Sequence, residues 1–298
     1  MSPRASPRWE SRVNGVRAHE LSVPSRVVIY ALLTILSLVV ILPYLWVIGS
    51  SLTMGELIGH FSGLSVHTFV PEQVTFENYV ALFTKVSMLR VLFNTVFVAV
   101  SVSLAGLVVN SMAAYALARL RVFGKKVIFA IIISTMFIPF ELMIIPLFQV
   151  VRNLHIMDSY AALIVPAAAS AFGIFFFRQF FLDVPTSLEE AAFIDGAGMF
   201  RTYWQILLPL LKVPLVTMGI MTFIMQWDNF LWAITVINKA QLTVLQVALT
   251  FIATATTYVS DLGVIFAGVV LAAVPMLILY LFLQKYVTQG VAMVGIKG

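Results

Sequence analysis

At 298 residues, the chain is 61% hydrophobic and only 10% charged, with a mean hydropathy of +1.02; a soluble domain carries roughly 25% charged residues, so the composition excludes one and indicates an all-α integral membrane protein. The net charge of +5 comes from basic residues dispersed among loops, which argues for the lipid bilayer and against nucleic acid as the partner. There is no cysteine, so disulfide and thiol chemistry are excluded, while the compartment stays open.

Residues 1–26 are polar and carry Arg4, Arg8, Arg12, Arg17 and Arg26, with Pro3, Pro7 and Pro24 breaking any continuous helix. They read as a basic tail. A signal peptide is the competing reading, but the apolar run that follows is too long for an h-region. The first expected span covers 27–48, about the 20 residues a crossing needs. A long loop, 52–88, holds His60 and His67. No third ligand cluster stands near them, so no metal site is expected. The second span, about 91–117, contains Asn94, Ser101, Ser103, Gly106, Asn110 and Ser111; small and polar residues in a span mark helix–helix contacts. The segment Arg119 to Lys126 ends in Gly124-Lys125-Lys126. It is not a phosphate-binding loop, because its first glycine and its final Ser/Thr are missing.

The third span, about 127–150, is interrupted by Pro139 and Pro146, with Glu141 between them. The fourth covers about 160–181. The fifth, about 213–237, holds Asp228 and Asn229, and the sixth covers about 264–283. These spans form one domain over 27–283, followed by a tail over 284–298. With six spans and both termini cytoplasmic, cytoplasmic segments hold fourteen of the eighteen Lys and Arg residues, and outer segments four. The positive-inside rule selects that orientation.

Between the fourth and fifth spans lies 185–209, PTSLEEAAFIDGAGMFRTYWQILLP, too polar to cross. Ser187 followed by Glu190 matches a capping box. Leu188, Ala191, Ala192 and Asp195 share one narrow helical face. Gly196 and Gly198 break the run. A second amphipathic piece, 200–207, places Tyr203, Ile206 and Leu207 on a common side. Locally, this is also the pattern of a connecting loop resting on a membrane surface.

The spacing of this stretch resembles the EAA loop of ABC-importer permease subunits: Glu189-Glu190-Ala191-Ala192, then Asp195-Gly196-Ala197, then Ile206, Leu208 and Pro209. Phe76-Glu77-Asn78-Tyr79, Ile138-Pro139-Phe140-Glu141 and Trp227-Asp228-Asn229-Phe230-Leu231-Trp232 resemble further segments of carbohydrate-type importer permeases. So does the ending Gly295-Ile296-Lys297-Gly298. Asp228 and Asn229 stand in the reverse of the usual order, and Ala233 occupies a frequent proline position.

The resemblance implies a MetI-like permease core of six transmembrane helices in a bacterial or archaeal plasma membrane. It implies that the 185–209 loop docks on an ATP-binding subunit. It further implies a second homologous permease subunit, two ATP-binding subunits and an extracytoplasmic sugar-binding protein. ATP and Mg would sit on the partner ATPase, with no cofactor and no catalysis on this chain. The cargo would be an oligosaccharide or related polyol. Glu141, Asp228, Asn229, Trp227 and Trp232 form a candidate translocation path, since intramembrane acids usually face protein or water. The acids alternatively bond a Ser, a Thr or a backbone group, and the tryptophans alternatively anchor at the membrane interface. An ion-coupled secondary transporter using Glu141 and Asp228 is the alternative function.

Overall fold

The computed structural model describes residues 23–54, 69, 71, 73–255 and 262–295. The basic tail up to residue 22, His60, His67, the Thr-rich 256–261 and the final Ile296-Lys297-Gly298 lie outside the described residues. All regular structure among the described residues is helical.

Helix α1 (Val23–Ser51) is followed by α2 (Glu77–Lys85) and α3 (Met88–Arg119). Then come α4 (Lys125–Thr135), α5 (Phe140–Asn153), α6 (Tyr160–Ile164) and α7 (Ala171–Asp183). The loop region forms α8 (Ser187–Ile194), α9 (Met199–Thr202), a π-helical turn (Tyr203–Leu207) and α10 (Leu208–Leu210). The chain closes with α11 (Lys212–Trp227), α12 (Leu231–Val236), a 3-10 turn (Ala240–Leu242), α13 (Leu245–Ala255) and α14 (Leu262–Gly295).

Among the described residues, three helices are long and apolar enough to cross a membrane: Val27–Ser51 of α1, all of α3, and Leu262–Leu281 of α14. Two bent pairs raise this to five if each counts as one span: α4 with α5 at 108°, and Met199–Leu210 with α11 at 81°. The expected third, fourth and fifth spans are therefore not continuous helices. The third breaks after Thr135, where Pro139 takes an extended ψ of 138° and caps α5. Proline lacks the N–H that a continuing helix requires. Pro146 stays inside α5 without breaking it. The fourth splits between α6 and α7, and the fifth stops at Asp228 and restarts at Leu231. The sixth runs past its expected end, to Gly295.

Helix α3 is the spine. It packs along α7 and α11 and touches α6 and α13. Buried Asn94, Thr95, Asn110 and Ser111 tie it to other segments, as the sequence suggests for polar residues in a span, whereas the Ser103 hydroxyl bonds within the helix, to the Ala99 carbonyl at 2.7 Å. Asn94 donates through Nδ2 to the carbonyls of Gln241 (3.0 Å) and Thr243 (2.9 Å) and accepts from the Tyr160 hydroxyl at 2.6 Å. The Thr95 hydroxyl accepts from the amide of Leu245 at 2.8 Å. Asn110 accepts from the amide of Ser170 at 2.9 Å. In a bilayer, a broken helix survives only when its freed backbone groups find such partners. Asn78 does the same for α1: its Nδ2 donates to the carbonyls of Ser51 (2.9 Å) and Thr53 (2.7 Å). Helix α1 rests mainly on α14, with Trp46 edge-on to Phe266 at 5.0 Å.

Candidate coupling loop and translocation cavity

The polar loop is built outward from the end of α7. Val184 and Pro185 turn the chain, and α8 begins at Ser187 with Thr186 as N-cap. No side chain caps it. The expected Ser187–Glu190 capping box is not formed, because Ser187 already has helical geometry. The amides of Glu189 and Glu190 share the Thr186 carbonyl, each at 3.0 Å.

The far end of α8 is closed by backbone. The Ala197 amide donates to the Ala192 carbonyl at 2.8 Å, and the Gly196 amide to the Phe193 carbonyl at 3.1 Å. Gly196 has φ of 79°. This is a Schellman closure, and its left-handed position favours glycine. It explains Asp-Gly-Ala at 195–197. Gly198, with φ of −73°, then caps α9.

The inward side of α8 differs from the expected one. Glu189 and Ala192 are buried, whereas Leu188, Ala191 and Asp195 are exposed. The helix is rotated by roughly one residue, 100°, from the face read in the sequence. Glu189 meets Arg119, the last residue of α3: Nε and Oε1 stand 3.1 Å apart, outside hydrogen-bond alignment. Arg119 also donates to the carbonyls of Phe181 and Val184 at the end of α7, the first of which also accepts from the Val184 amide at 3.3 Å. Burial raises the Glu189 carboxyl above its ordinary range, with Arg119 pulling the other way.

The second half of the loop is held by packing. Tyr203 and Leu207 are buried with Ala114, Tyr115, Phe177 and Phe181. The Tyr203 hydroxyl lies 2.7 Å from the hydroxyl of Ser111. Ile206 and Leu208 are half-buried, Ala197 is half-buried, and Pro209 is exposed. The outward surface consists of Glu190, Ala191, Asp195, Phe193 and Ile194, the last 86% exposed.

The helix breaks converge elsewhere, on a cavity of about 630 Å³. Glu141 at the start of α5 lines it, with Pro166 to Phe172 around the α6–α7 break and Asp228 to Trp232 at the α11–α12 break. The structure thus brings Glu141, Asp228, Asn229 and Trp232 to one wall. The Gln246 side-chain amide donates to Asp228 at 3.2 Å, and Asn229 donates to Gln226 at 3.0 Å. The partner of Asp228 is therefore a side-chain amide, in place of the Ser, Thr or backbone partner considered from sequence. Trp232 is buried and donates its indole N–H to the Ala162 carbonyl at 2.9 Å. Trp227 stands apart from the other four. It is 2% exposed, stacks on Phe223, and donates to the Ala272 carbonyl at 3.2 Å.

Sequence reasoning assigned Arg119 and Gln246 no role. Neither carries a local signal, since each finds its partner far along the chain. No group of three or more potential metal ligands occurs among the described residues.

Residues 106–293 match the family model described as binding-protein-dependent transport system inner membrane component. The chain is 33% identical to the arabinooligosaccharides transport system permease protein of Halalkalibacterium halodurans, over 77% of this chain and 82% of that one. It is 32% identical to the diacetylchitobiose uptake system permease protein of Streptomyces coelicolor, over 88% and 86%. It is 33% identical to the sn-glycerol-3-phosphate transport system permease protein of Yersinia enterocolitica, over 67% and 71%. Among solved structures, it is similar to a chain in a bacterial ABC transporter involved in the import of the acidic polysaccharide alginate. That match has a TM-score of 0.77 and 26% identity, covering 96% of this chain and 99% of the other. A polar module pinned beneath a broken-helix cavity, in a chain with these relatives, belongs to the binding-protein-dependent transport system inner membrane components, the multi-pass permease subunits of ABC importers.

Proposed function

We propose that this chain is one of two permease subunits in an ATP-driven importer of a sugar or related polyol, and that 185–209 is its contact with the ATPase. The observation that carries this is the two-sided loop. Its inner side is tied to α3 and α7, while its outer face presents Glu190, Asp195 and the 86%-exposed Ile194. Apolar side chains bared beside carboxylates mark a docking surface. The relatives' names point to oligosaccharides and glycerol-phosphate as the cargo class. The chain would cross the bacterial inner membrane six times, as α1, α3, α4–α5, α6–α7, α11–α12 and α14, with both termini cytoplasmic. Its partners would be a second permease, two ATP-binding subunits carrying ATP and Mg, and an extracytoplasmic binding protein. Glu141, Asp228, Asn229 and Trp232 would line this chain's share of the path. Ion coupling through Glu141 and Asp228 is the weaker reading, since the relatives belong to binding-protein-dependent systems.

The test is recovery from detergent through a C-terminal tag, followed by mass spectrometry. The expected result is co-recovery of a P-loop ATPase and a second permease, lost on Glu190→Lys. Recovery of this chain alone, active in liposomes under a proton gradient, would replace the proposal with ion-coupled transport.

A further inference from the structure

We infer that Arg119 and Glu189 are positioning residues whose ion pair passes displacement of the coupling helix α8 into the α3–α7 pair, and through it to the cavity wall. The inference rests on the reading of 185–209 as the ATPase-facing loop. Helix α8 has little else to hold it. Its buried residues are Glu189 and Ala192, and only the first is long enough to engage a neighbouring helix by a directed contact. Of its apolar side chains, Ile194 is 86% exposed, and Leu188 and Phe193 are only partly covered. Hydrophobic packing therefore gives α8 weak purchase, since the effect scales with apolar area removed from water.

Arg119 joins three elements with one guanidinium. It ends α3, it donates to two terminal carbonyls of α7, and it pairs with Glu189 of α8. A planar fork of five donors serves this geometry, and a lysine ammonium does not. Helix α7 is fastened to α3 at its other end as well. There, Asn110 accepts from the Ser170 amide, and the Ser170 hydroxyl accepts from the Gly173 amide at 2.9 Å. With both ends fixed, α3 and α7 behave as one rigid body. Helix α7 is 13 residues, roughly 20 Å, long. One end sits at Arg119, and the other, Ser170 and Phe172, lines the cavity.

The node is also underbonded. Tyr115 Oη, Arg119 Nε and Glu189 Oε1 are buried without a hydrogen-bond partner. Leaving buried polar groups unmade is costly.

The experiment uses the complete importer in inside-out membrane vesicles. The chain has no cysteine, so Ala169→Cys on the cavity wall gives a single maleimide target on this chain, read on its own band. In this background, Mg-ATP with vanadate should change the labelling rate at least about fivefold, the lower end of ordinary coupling between sites. Arg119→Gln and Glu189→Gln should each abolish that response while the ATPase still co-purifies and hydrolyses ATP. The double variant should be no worse than either single one. If Arg119→Gln fails to assemble, Glu189→Gln, which keeps shape, carries the test. A full nucleotide response in Glu189→Gln with the ATPase bound would overturn the inference. A different pattern sinks the underlying reading instead: ATPase retained by Glu190→Lys and no nucleotide response in the Ala169→Cys parent.

Discussion

At the scale of residues, two pairs separate backbone from side-chain effects. Gly196 and Gly198 both have open space where a Cβ would go. Only Gly196 has a positive φ, of 79°. Gly196→Ala should therefore cost about 1–2 kcal/mol, the price of a left-handed Cβ, and Gly198→Ala much less. Thermal unfolding in detergent checks this; equal losses would contradict the Schellman closure. Arg119 and Glu189 form the second pair, with side chains 8% and 12% exposed. Removing the arginine leaves a buried carboxylate without its cation and takes a donor from the Phe181 and Val184 carbonyls. Arg119→Gln should thus cost about 3–5 kcal/mol. Glu189→Gln leaves Arg119 on the α7 carbonyls and should cost far less. The sign of its pH dependence follows from burial, which raises the carboxyl in the folded protein. The folded state then binds the proton more tightly than the unfolded chain. That contribution is fully present in acid and is lost as pH rises through the raised value. Measured across that range, wild type should lose stability relative to Glu189→Gln as pH rises; the opposite drift would mean that Arg119 outweighs burial. The pair therefore fixes a geometry more than it adds stability.

At the scale of elements, the joints between helices carry the sequence's less obvious features. A Cβ on Gly173 would come within 2.8 Å of Asn110 Nδ2 and 3.2 Å of its Cβ. Asn110 is held by the Ser170 amide and cannot swing away freely. Gly173→Ala should destabilise by about 1–3 kcal/mol through overpacking. A smaller Asn110→Ala change in the same background should restore part of the loss, and a simple sum of the two effects would remove Asn110 as the cause. Much of this level was legible in advance. The 185–209 loop stood out because acids and glycines at fixed spacing interrupt apolar sequence, and Asn94 and Asn110 stood out as polar groups within a span. The rotation of α8 was not legible. Glu189 and Leu188 are adjacent on a short, weakly amphipathic helix, and what decides between their faces is Arg119, 70 residues earlier. The breaks at 165–170 and at Asp228 were hidden for another reason. Hydropathy averages over a window and carries no backbone direction, so a short turn inside an apolar run reads as continuous. Pro166 and the capping Ser170 were the available signals.

At the scale of the whole molecule, three helix breaks share one cavity, although they are distant in sequence. The α4–α5 bend delivers Glu141, the α6–α7 break delivers Ser170, and the α11–α12 break delivers Asp228 and Asn229. Non-helical backbone at membrane depth is tolerated where it lines a protein cavity, so the breaks and the cavity explain each other. Their side chains fall into two kinds. Asp228 and Asn229 are already engaged, by Gln246 and Gln226. The Glu141 carboxylate makes no hydrogen bond or ion pair among the described residues, and it is exposed to the cavity. A carboxylate left open there is available to accept from a sugar hydroxyl. Glu141→Gln keeps the volume and removes the charge. A hydrogen bond to a charged group contributes about 1.5–3 kcal/mol. Uptake at limiting sugar should therefore fall by roughly tenfold to a hundredfold, with co-recovery of the ATPase unchanged. Asp228→Asn, whose carbonyl still accepts from Gln246, should lose less. Radiolabelled oligosaccharide uptake into proteoliposomes separates the cases. Equal uptake in Glu141→Gln and wild type would remove Glu141 from the path and leave it as a solvated acid at a helix start, where the helix dipole alone favours it.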